Sequence, residues 1–239
     1  MKIELSPSFI LHRRLYRETS LLLDVFSREH GRISLVANGV RKKGSNKSEL
    51  LQIHQPLLLT WSGKGELMNL VAVEADGMAY RLAGNWLIAG FYINELIIRL
   101  LHLHEAHPEL FDIYRQTLES LSNHEMGEQV ILRVFEKRLM ESVGYGMSIV
   151  HEAGSVKDID PKIIYYYQAE KGASSSVPAI GDYVKVSGNA LISLANESFE
   201  TQEVLTEIKK LMRYVLNKHL DGKQLASRNL YKSFINQSR

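Results

Sequence analysis

Residues 20–37 read SLLLDVFSREHGRISLVA, and this stretch decides the fold of the first third of the chain. Two runs rich in Leu, Val, Ile and Phe, Ser20–Phe26 and Arg32–Ala37, flank the segment Glu29-His30-Gly31. Such runs between turn residues are typical of short strands, and glycine adopts the positive φ of a tight turn without steric cost. The stretch therefore predicts two strands joined by a turn.

Three similar runs surround this pair, at Ser8–Arg13, His54–Trp61 and Leu67–Glu74. The last two are separated by Ser62-Gly63-Lys64-Gly65, which is also tight-turn material. Five strands are the complement of a small β-barrel, so we predict a barrel domain over residues 1–78.

After Asp76-Gly77 the apolar residues recur every three or four positions, which is typical of amphipathic helices. We predict a mainly helical domain over residues 79–239, with a mixed excursion near 145–186 that contains the aromatic run Ile163–Tyr167. The expected class is therefore α+β. The predicted helices span Trp86–Leu103, Glu109–Leu121, Glu125–Val143, Ser187–Leu194, Thr201–Leu220 and Ser227–Ile235.

The composition excludes several classes of function. The 239 residues are 45% hydrophobic and 23% charged, as in an ordinary folded protein, and contain no cysteine, so disulfides, cysteine zinc sites and thiol nucleophiles are excluded. The first seven residues hold a glutamate and a proline, and the apolar run Trp86–Leu101 is interrupted by polar and charged residues. We therefore expect no signal peptide, no membrane segment and a cytoplasmic location.

The charge is unevenly distributed although the net charge is only +2. Residues 1–64 carry 11 basic and 5 acidic side chains, residues 65–199 carry 10 and 18, and residues 200–239 carry 8 and 4. The loop 38–47 holds four basic residues and no acidic one. Basic side chains in loops of a small barrel can contact nucleic-acid phosphates, although a solvated charged surface is the alternative. The candidate nucleic-acid-binding residues are Arg13, Arg14, Arg17, Arg32, Arg41, Lys42, Lys43 and Lys64.

Aromatic residues of the barrel are candidates for stacking on bases, although most aromatics of a small barrel belong to its core. Tyr16 and Trp61 adjoin polar or basic segments and are the better candidates.

The third predicted helix carries a candidate peptide-binding site. Arg133 interrupts a strongly apolar run and Lys137 follows four residues later, so cations lie beside apolar surface, a combination that suits an acidic peptide with an apolar tip. The alternative is a boundary arginine whose stem covers the core while its head reaches water.

Catalytic and metal motifs are not expected. His102 and His104 point to different sides of a helix, so they do not share a metal ion. Gly39 and Gly44 have the spacing of a phosphate loop, but Ser45-Asn46 stands where Lys-Ser or Lys-Thr is required. We therefore expect no enzyme activity, no metal and no cofactor.

Several motifs along the chain together resemble those of the RecO family of bacterial recombination mediators. They run from the barrel to the last predicted helix, so the resemblance covers nearly the whole chain. The motifs are Leu11-His12-Arg13, Glu18–Phe26, Gly31-Arg32, Leu35–Arg41, Pro56–Leu59, Tyr92–Leu96, Val143–Gly146 and Ser227–Phe234.

The resemblance implies an N-terminal OB-fold, a helical C-terminal domain and a protein without catalytic turnover. Members of the family bind single- and double-stranded DNA, anneal complementary strands, and work with RecR to load RecA onto DNA coated by single-strand-binding protein. They also bind the acidic C-terminal tail of that protein. Family positions for DNA fall on Arg13, Arg32 and Arg41, and the tail site falls near Arg133. We expect a monomer in the absence of partners.

One departure from the family pattern concerns zinc. Many relatives carry a four-cysteine element after the Gly-Tyr segment, whereas the residues following Gly146 here include no cysteine, so zinc is not expected.

Three other interpretations stay open. The same basic barrel would suit an OB module that binds RNA, the helical half would suit a protein-interaction scaffold, and a hydrolase with a scattered triad would escape motif analysis.

Overall fold

The computed structural model describes residues 2–42, 47–220 and 222–237, except the side chains of Lys232 and residues 235–237. It contains a closed five-stranded barrel followed by a mainly helical region, which confirms the predicted α+β class. The strands are β1 (Lys2–Tyr16), β2 (Ser20–Ser27), β3 (Gly31–Ala37), β4 (Leu57–Ser62), β5 (Leu67–Ala75), β6 (Ile164–Gln168), β7 (Gly172–Ser174) and β8 (Val184–Ser187). The helices are α1 (Lys47–Leu50), α2 (Gly84–Leu100), α3 (Pro108–Asn123), α4 (Glu128–Ser142), α5 (Gly188–Ala195), α6 (Gln202–His219) and α7 (Ala226–Gln237).

The barrel has the strand order β1-β2-β3-β5-β4 and closes between β4 and β1. All neighbouring strands are antiparallel except β3 and β5, which are parallel. Alternate residues point inward and form the barrel core, which includes Leu23, Val25, Ile33 and Leu35, all without exposed surface. This arrangement of a five-stranded barrel is that of an OB-fold.

Strand β1 is much longer than the predicted Ser8–Arg13, because its first half pairs with β4 and its second half with β2. Strand β4 is shorter than predicted. His54 has a positive φ of 60°, which is incompatible with an extended strand, so the strand begins at Leu57.

Helices α2 and α3 pack on the outer face of β1 and β2. Phe9 and Phe26, which point away from the barrel interior, contact the ring of Tyr114 on α3 at centroid distances of 5.1 and 6.1 Å. On α2, the buried Asn94 donates from Nδ2 to the carbonyl of Leu11 at 2.9 Å and accepts a hydrogen bond from the Tyr114 hydroxyl at 2.6 Å. This amide therefore links a strand of the barrel to two helices.

The chain divides into two compact units, residues 1–125 with 225–239 and residues 126–224. Helix α7 belongs to the first unit because its first turn is bound by Glu95 on α2. The carboxylate of Glu95 accepts hydrogen bonds from the backbone of Ala226 and Ser227 and from the Ser227 hydroxyl, at 2.6–2.9 Å. Residue 78, where the sequence changes from strands to helices, is not a boundary between these units, and the predicted domain division stays a prediction.

The second unit holds α4, α5, α6 and a three-stranded sheet of order β7-β6-β8. The sheet lies within the predicted mixed excursion. Its edge is extended by residues 151–153: Ala153 donates its backbone N–H to Ala173, and the carboxylate of Glu152 accepts hydrogen bonds from the backbone and hydroxyl of Ser175. These hydrogen bonds join residues 151–153 to the edge of the sheet. Within the described ranges, no helix has the length and apolar character needed to cross a bilayer.

Candidate nucleic-acid interface and partner site

The end of the β1–β2 hairpin presents basic side chains to solvent. Arg13 and Arg14 pair with Leu23 and Leu22 of β2, and four successive residues of β1 from His12 to Leu15 are exposed. Arg13 also donates from Nη1 to the carbonyl of Leu51 at 2.9 Å, which ties the hairpin to the segment after α1. The hairpin therefore holds its two arginines at defined positions with solvent-accessible guanidinium groups.

The loop after β3 packs against the β1–β2 turn and adds cations to it. The backbone N–H of Arg41 donates to the carbonyl of Thr19 at 3.0 Å, and its Nη1 donates to the carbonyl of Glu18 at 3.2 Å. Arg17 and Lys42 line a shallow open depression between the turn and the loop. Five of the predicted residues lie on the β1–β2 hairpin or on the loop that packs against its turn, and we call them the hairpin cluster: Arg13, Arg14, Arg17, Arg41 and Lys42. Lys43 lies outside the described residues.

Of the two aromatic stacking candidates, only Tyr16 is accessible. Its half-buried ring carries the guanidinium of Arg17 at 5.1 Å from the centroid, so an aromatic surface and a cation adjoin in the β1–β2 turn. Trp61 is 2% exposed, and the expectation that it stacks on bases is wrong. Its indole packs in the barrel core because its side chain points inward from β4.

Lys64 is exposed in the β4–β5 turn. OB-folds bind oligonucleotides with the face of strands 2 and 3 and with the β1–β2 and β4–β5 loops that flank it. Arg17 lies in the first of these loops and Lys64 in the second, so both occupy positions that OB-folds use for binding.

Arg32 has a different environment from the hairpin cluster. Its half-buried guanidinium donates from Nη1 to the carbonyls of Ile98 and Leu101 at the C-terminal end of α2, where helix carbonyls lack intrahelical partners. Its Nε has no partner among the described residues. The side chain joins β3 to α2, and a contact with DNA would have to use its remaining N–H groups.

Arg133 lies in the core of the second unit, where its side chain is 6% exposed and donates from Nη2 to the fully buried Glu136 at 2.6 Å. The alternative that its head reaches water is therefore wrong. The apolar residues around it come from α4 itself and from the helices packed on α4, and only the first set is visible in the local sequence. Its Nε lacks a partner within the described part of the chain.

Lys209 of α6, an exposed cation that sequence analysis did not select, lies near Arg133, and Arg213 lies near Lys209. Desolvation and the charges of Arg133 and Arg213 lower the pKa of Lys209, against the attraction of Glu128 and Glu136. Lys209 and Arg213 are both exposed and one helical turn apart, so they share a face of α6. The spacing of four between these two cations on an amphipathic helix is visible in the sequence, but the position of Lys209 near Arg133 depends on the packing of α6 on α4.

Lys137 is engaged in a separate network. Its ammonium donates to the carbonyl of Ala195 at 3.0 Å and to Glu197 at 3.1 Å, and Arg138 binds the same carboxylate through two nitrogens. Although burial alone would raise the pKa of Glu197, these hydrogen bonds lower it. Lys137 thus fastens α4 to the end of α5, and a bound peptide would compete with Glu197 for it.

Comparison with known proteins matches both parts of the chain. Residues 1–77 match the family described as recombination protein O N terminal, and residues 82–229 match recombination protein O C terminal. Among curated proteins, the chain is 44% identical over 232 residues to the DNA repair protein RecO of Methylococcus capsulatus, covering 97% of this chain and 94% of that protein. It is 42% identical to the DNA repair protein RecO of Vibrio parahaemolyticus (93% and 90% covered) and 40% identical to that of Coxiella burnetii (96% and 98% covered).

Proposed function

This chain belongs to the RecO family of DNA repair and recombination proteins, and we propose that it is a non-catalytic recombination mediator. In this role it binds single- and double-stranded DNA, anneals complementary strands and, with RecR, helps to load RecA onto strands coated by single-strand-binding protein. It works in the cytoplasm without a cofactor and is a monomer in the absence of partners. The observation that carries the proposal is the hairpin cluster on an OB-type barrel.

The hairpin cluster suits a phosphate backbone better than it suits any single small anion. Its cations are spread along one strand end and two loops rather than converging on one point, and Glu18 is the one acidic residue within the β1–β2 turn. A chain of phosphates offers charges at regular intervals, and each phosphate neutralised releases condensed counterions. We therefore infer that DNA follows the β1–β2 hairpin, with Lys64 as a further contact on the β4–β5 turn.

Annealing follows from the same electrostatics. Two complementary strands repel each other through their phosphates, and a protein surface that neutralises part of this charge lowers the barrier to base pairing. No bond is made or broken, so no catalytic group is required. The half-buried ring of Tyr16 adds a surface on which an unpaired base can stack.

The test replaces Arg17, Arg41 and Lys42 together with alanine and measures binding of a fluorescent single-stranded oligonucleotide across a salt series. Each phosphate contact contributes about −0.7 to the slope of log affinity against log salt on single strands, so we expect the slope to flatten by about 2. Annealing of the complementary strand, followed in the same sample, should slow in parallel. An unlabelled RNA competitor of the same sequence distinguishes a DNA-binding protein from an RNA-binding OB module.

A matched control removes three other exposed arginines of the same unit, Arg81, Arg99 and Arg115. This variant has the same net charge as the test variant, and we expect it to keep the wild-type slope to within about 0.5. Equal slopes for the two variants would show that total charge, and not the hairpin cluster, governs binding.

For the tail of single-strand-binding protein, we propose a site formed by Lys209 and Arg213 over Arg133. The two exposed cations would contact the acidic side chains of the tail, while Arg133 neutralises the buried Glu136, whose unpaired negative charge would otherwise oppose an acidic peptide. Charge-assisted hydrogen bonds to carboxylates are stronger than neutral ones, and arginine is suited to bidentate contact.

The tail site is tested by titrating a labelled peptide of that tail. We expect Lys209→Ala with Arg213→Ala to weaken peptide binding about tenfold, because two charge-assisted contacts are lost, while DNA binding is kept. Lys210→Ala, on the same helix and also exposed, is the control. Arg133→Ala should also weaken binding several fold, but it leaves Glu136 buried without its cation, at a cost of about 3–5 kcal/mol, so its folding must be verified. Unchanged peptide affinity in the double variant would remove α6 from the site.

A further inference from the structure

The outer face of the three-stranded sheet in the second unit carries an aromatic and basic surface that the proposed function does not use. Strand β6 alternates strictly: Tyr165 and Tyr167 point inward and are 0% and 1% exposed, whereas Ile164 and Tyr166 point outward. The register pairs Tyr166 with Lys185 of β8, so both lie on the outer face. Tyr183, two residues before Lys185, lies on that face as well and is 38% exposed.

These side chains form a compact group. The ring of Tyr183 meets that of Tyr166 edge to face at a centroid distance of 5.3 Å, and the ammonium of Lys185 lies 5.7 Å from the Tyr166 centroid. The acidic residue nearest in sequence, Asp182, is paired with Lys218 at 2.9 Å, so its charge is locally neutralised. Lys185 therefore offers a positive charge on this face.

The platform is held rigidly. The two inward tyrosines of β6 anchor the strand in the core, and the hydroxyl of Tyr165 accepts a hydrogen bond from the backbone of Asp160 at 3.0 Å. At the other edge of the sheet, the hydroxyl of Tyr214 on α6 donates to the carbonyl of Asp182 at 2.8 Å. Preorganised aromatic rings lose little conformational entropy when a ligand stacks on them.

We propose that this outer face, formed by Tyr166, Tyr183 and Lys185, is a second contact surface for single-stranded nucleic acid. A base stacks on a tyrosine ring while Lys185 contacts the adjoining phosphate. Aromatic rings on an open sheet beside cations are the physical requirement for binding single strands without sequence preference, since every base presents a flat π surface. An acidic peptide would use the lysine but leave the paired rings without a partner. The proposal rests on the proposed DNA-binding function and adds a site to it.

The first test is photocrosslinking of the full-length protein to a single-stranded oligonucleotide that contains 5-iododeoxyuridine. Irradiation links this base to an aromatic ring stacked on it, and mass spectrometry identifies the modified peptide. We expect adducts on Tyr183 or Tyr166. Adducts confined to the first unit would overturn the proposal.

The second test measures the affinity for long single strands. Tyr183→Ala should weaken binding about fivefold, because one stacking contact is lost, whereas Tyr183→Phe should bind as the wild type because the ring is kept. Tyr145→Ala is the matched control, since Tyr145 is an exposed tyrosine of the same unit stacked on His219 at 4.1 Å. Lys185→Ala should flatten the salt slope by about 0.7.

The outcomes separate this site from the hairpin cluster. Loss of affinity in the Arg17, Arg41 and Lys42 variant together with wild-type affinity in Tyr183→Ala would overturn the second surface and leave the proposed function intact. Wild-type affinity in both variants would contradict both. If Tyr183→Ala keeps its DNA affinity and loses the binding of the tail peptide or of RecR, the face belongs to a protein partner and the proposal is wrong.

Discussion

The buried amide of Asn94 allows a quantitative test of how the barrel is joined to its helices. Replacing Asn94 with alanine leaves the Leu11 carbonyl and the Tyr114 hydroxyl without the partners that they have at 2.9 and 2.6 Å. Tyr114 is fully buried, which also raises the pKa of its hydroxyl, so no bulk water replaces the lost bond. An unsatisfied buried polar group costs about 1–3 kcal/mol, and we expect Asn94→Ala to lower the free energy of unfolding by about 3 kcal/mol.

A double-mutant cycle isolates the bond between the two side chains. Tyr114→Phe should cost about 1–2 kcal/mol, because only the Asn94 oxygen loses a partner. The double variant should cost about 1 kcal/mol less than the sum of the single variants, since the orphaned hydroxyl is then absent.

Urea unfolding followed by tryptophan fluorescence is the suitable assay. The two tryptophans, Trp61 and Trp86, both lie in the first unit, so the signal reports on the unit that contains Asn94. Strict additivity of the two substitutions, or a loss below about 0.5 kcal/mol for Asn94→Ala, would refute the bridging role.

Two further predictions concern the same unit. Gly31 has a φ of +63°, and an added Cβ would lie 1.7 Å from the carbonyl oxygen of Glu105, so Gly31→Ala should destabilise the unit by at least about 3 kcal/mol in the urea assay. Gly39→Ala, at a φ of +67° with no neighbour closer than 3.6 Å, should cost only about 1 kcal/mol, and an equal loss at both positions would show that the φ angle alone matters. Partial burial alone would raise the pKa of Glu95, but hydrogen bonds from Ser227 and Ala226 lower it below the ordinary value of 4.5. The contribution of the ionised Glu95 to the free energy of unfolding is therefore present above pH 4.5 and is lost on acidification. Glu95→Gln should therefore cost about 1 kcal/mol at pH 7, and unfolding measured from pH 7 to pH 3 should show the two proteins converging; a constant difference would contradict the ionised cap.

The sequence predicted the barrel well because its strands are apolar runs separated by turn residues, and both features are local in the sequence. It predicted the length of β1 poorly, because pairing with β4 occurs through residues such as Ser6 and Pro7 that carry no strand signal of their own. Helix α1 was missed for a related reason, since four residues are too short to show a helical period. The three-stranded sheet was recognised only as a mixed excursion because its short strands depend on contacts distant in sequence.

In the candidate site, too, features that depend on neighbouring residues were predicted and features that depend on distant residues were not. Exposed cations such as Arg17 and Lys42 lie in loops, and loop position is visible in the sequence. The partners of Arg32 and the burial of Arg133 are not visible in the sequence around these two residues. The first binds carbonyls of a helix more than sixty residues away, and the second is buried only because other helices pack on α4.

The binding of α7 by Glu95 affects the order in which the first unit is completed during synthesis and its response to mechanical force. Residues 126–224 form an insertion within the sequence of the first unit, which receives its last helix only after the whole insertion has been synthesised. Until residues 226 and 227 have been synthesised, the Glu95 carboxylate lacks the hydrogen-bond donors that it has in the folded protein. The insertion is also tethered at both of its ends. A force applied between the β1 strand and α7 would therefore shear the contact between α2 and α7 before it reached the second unit.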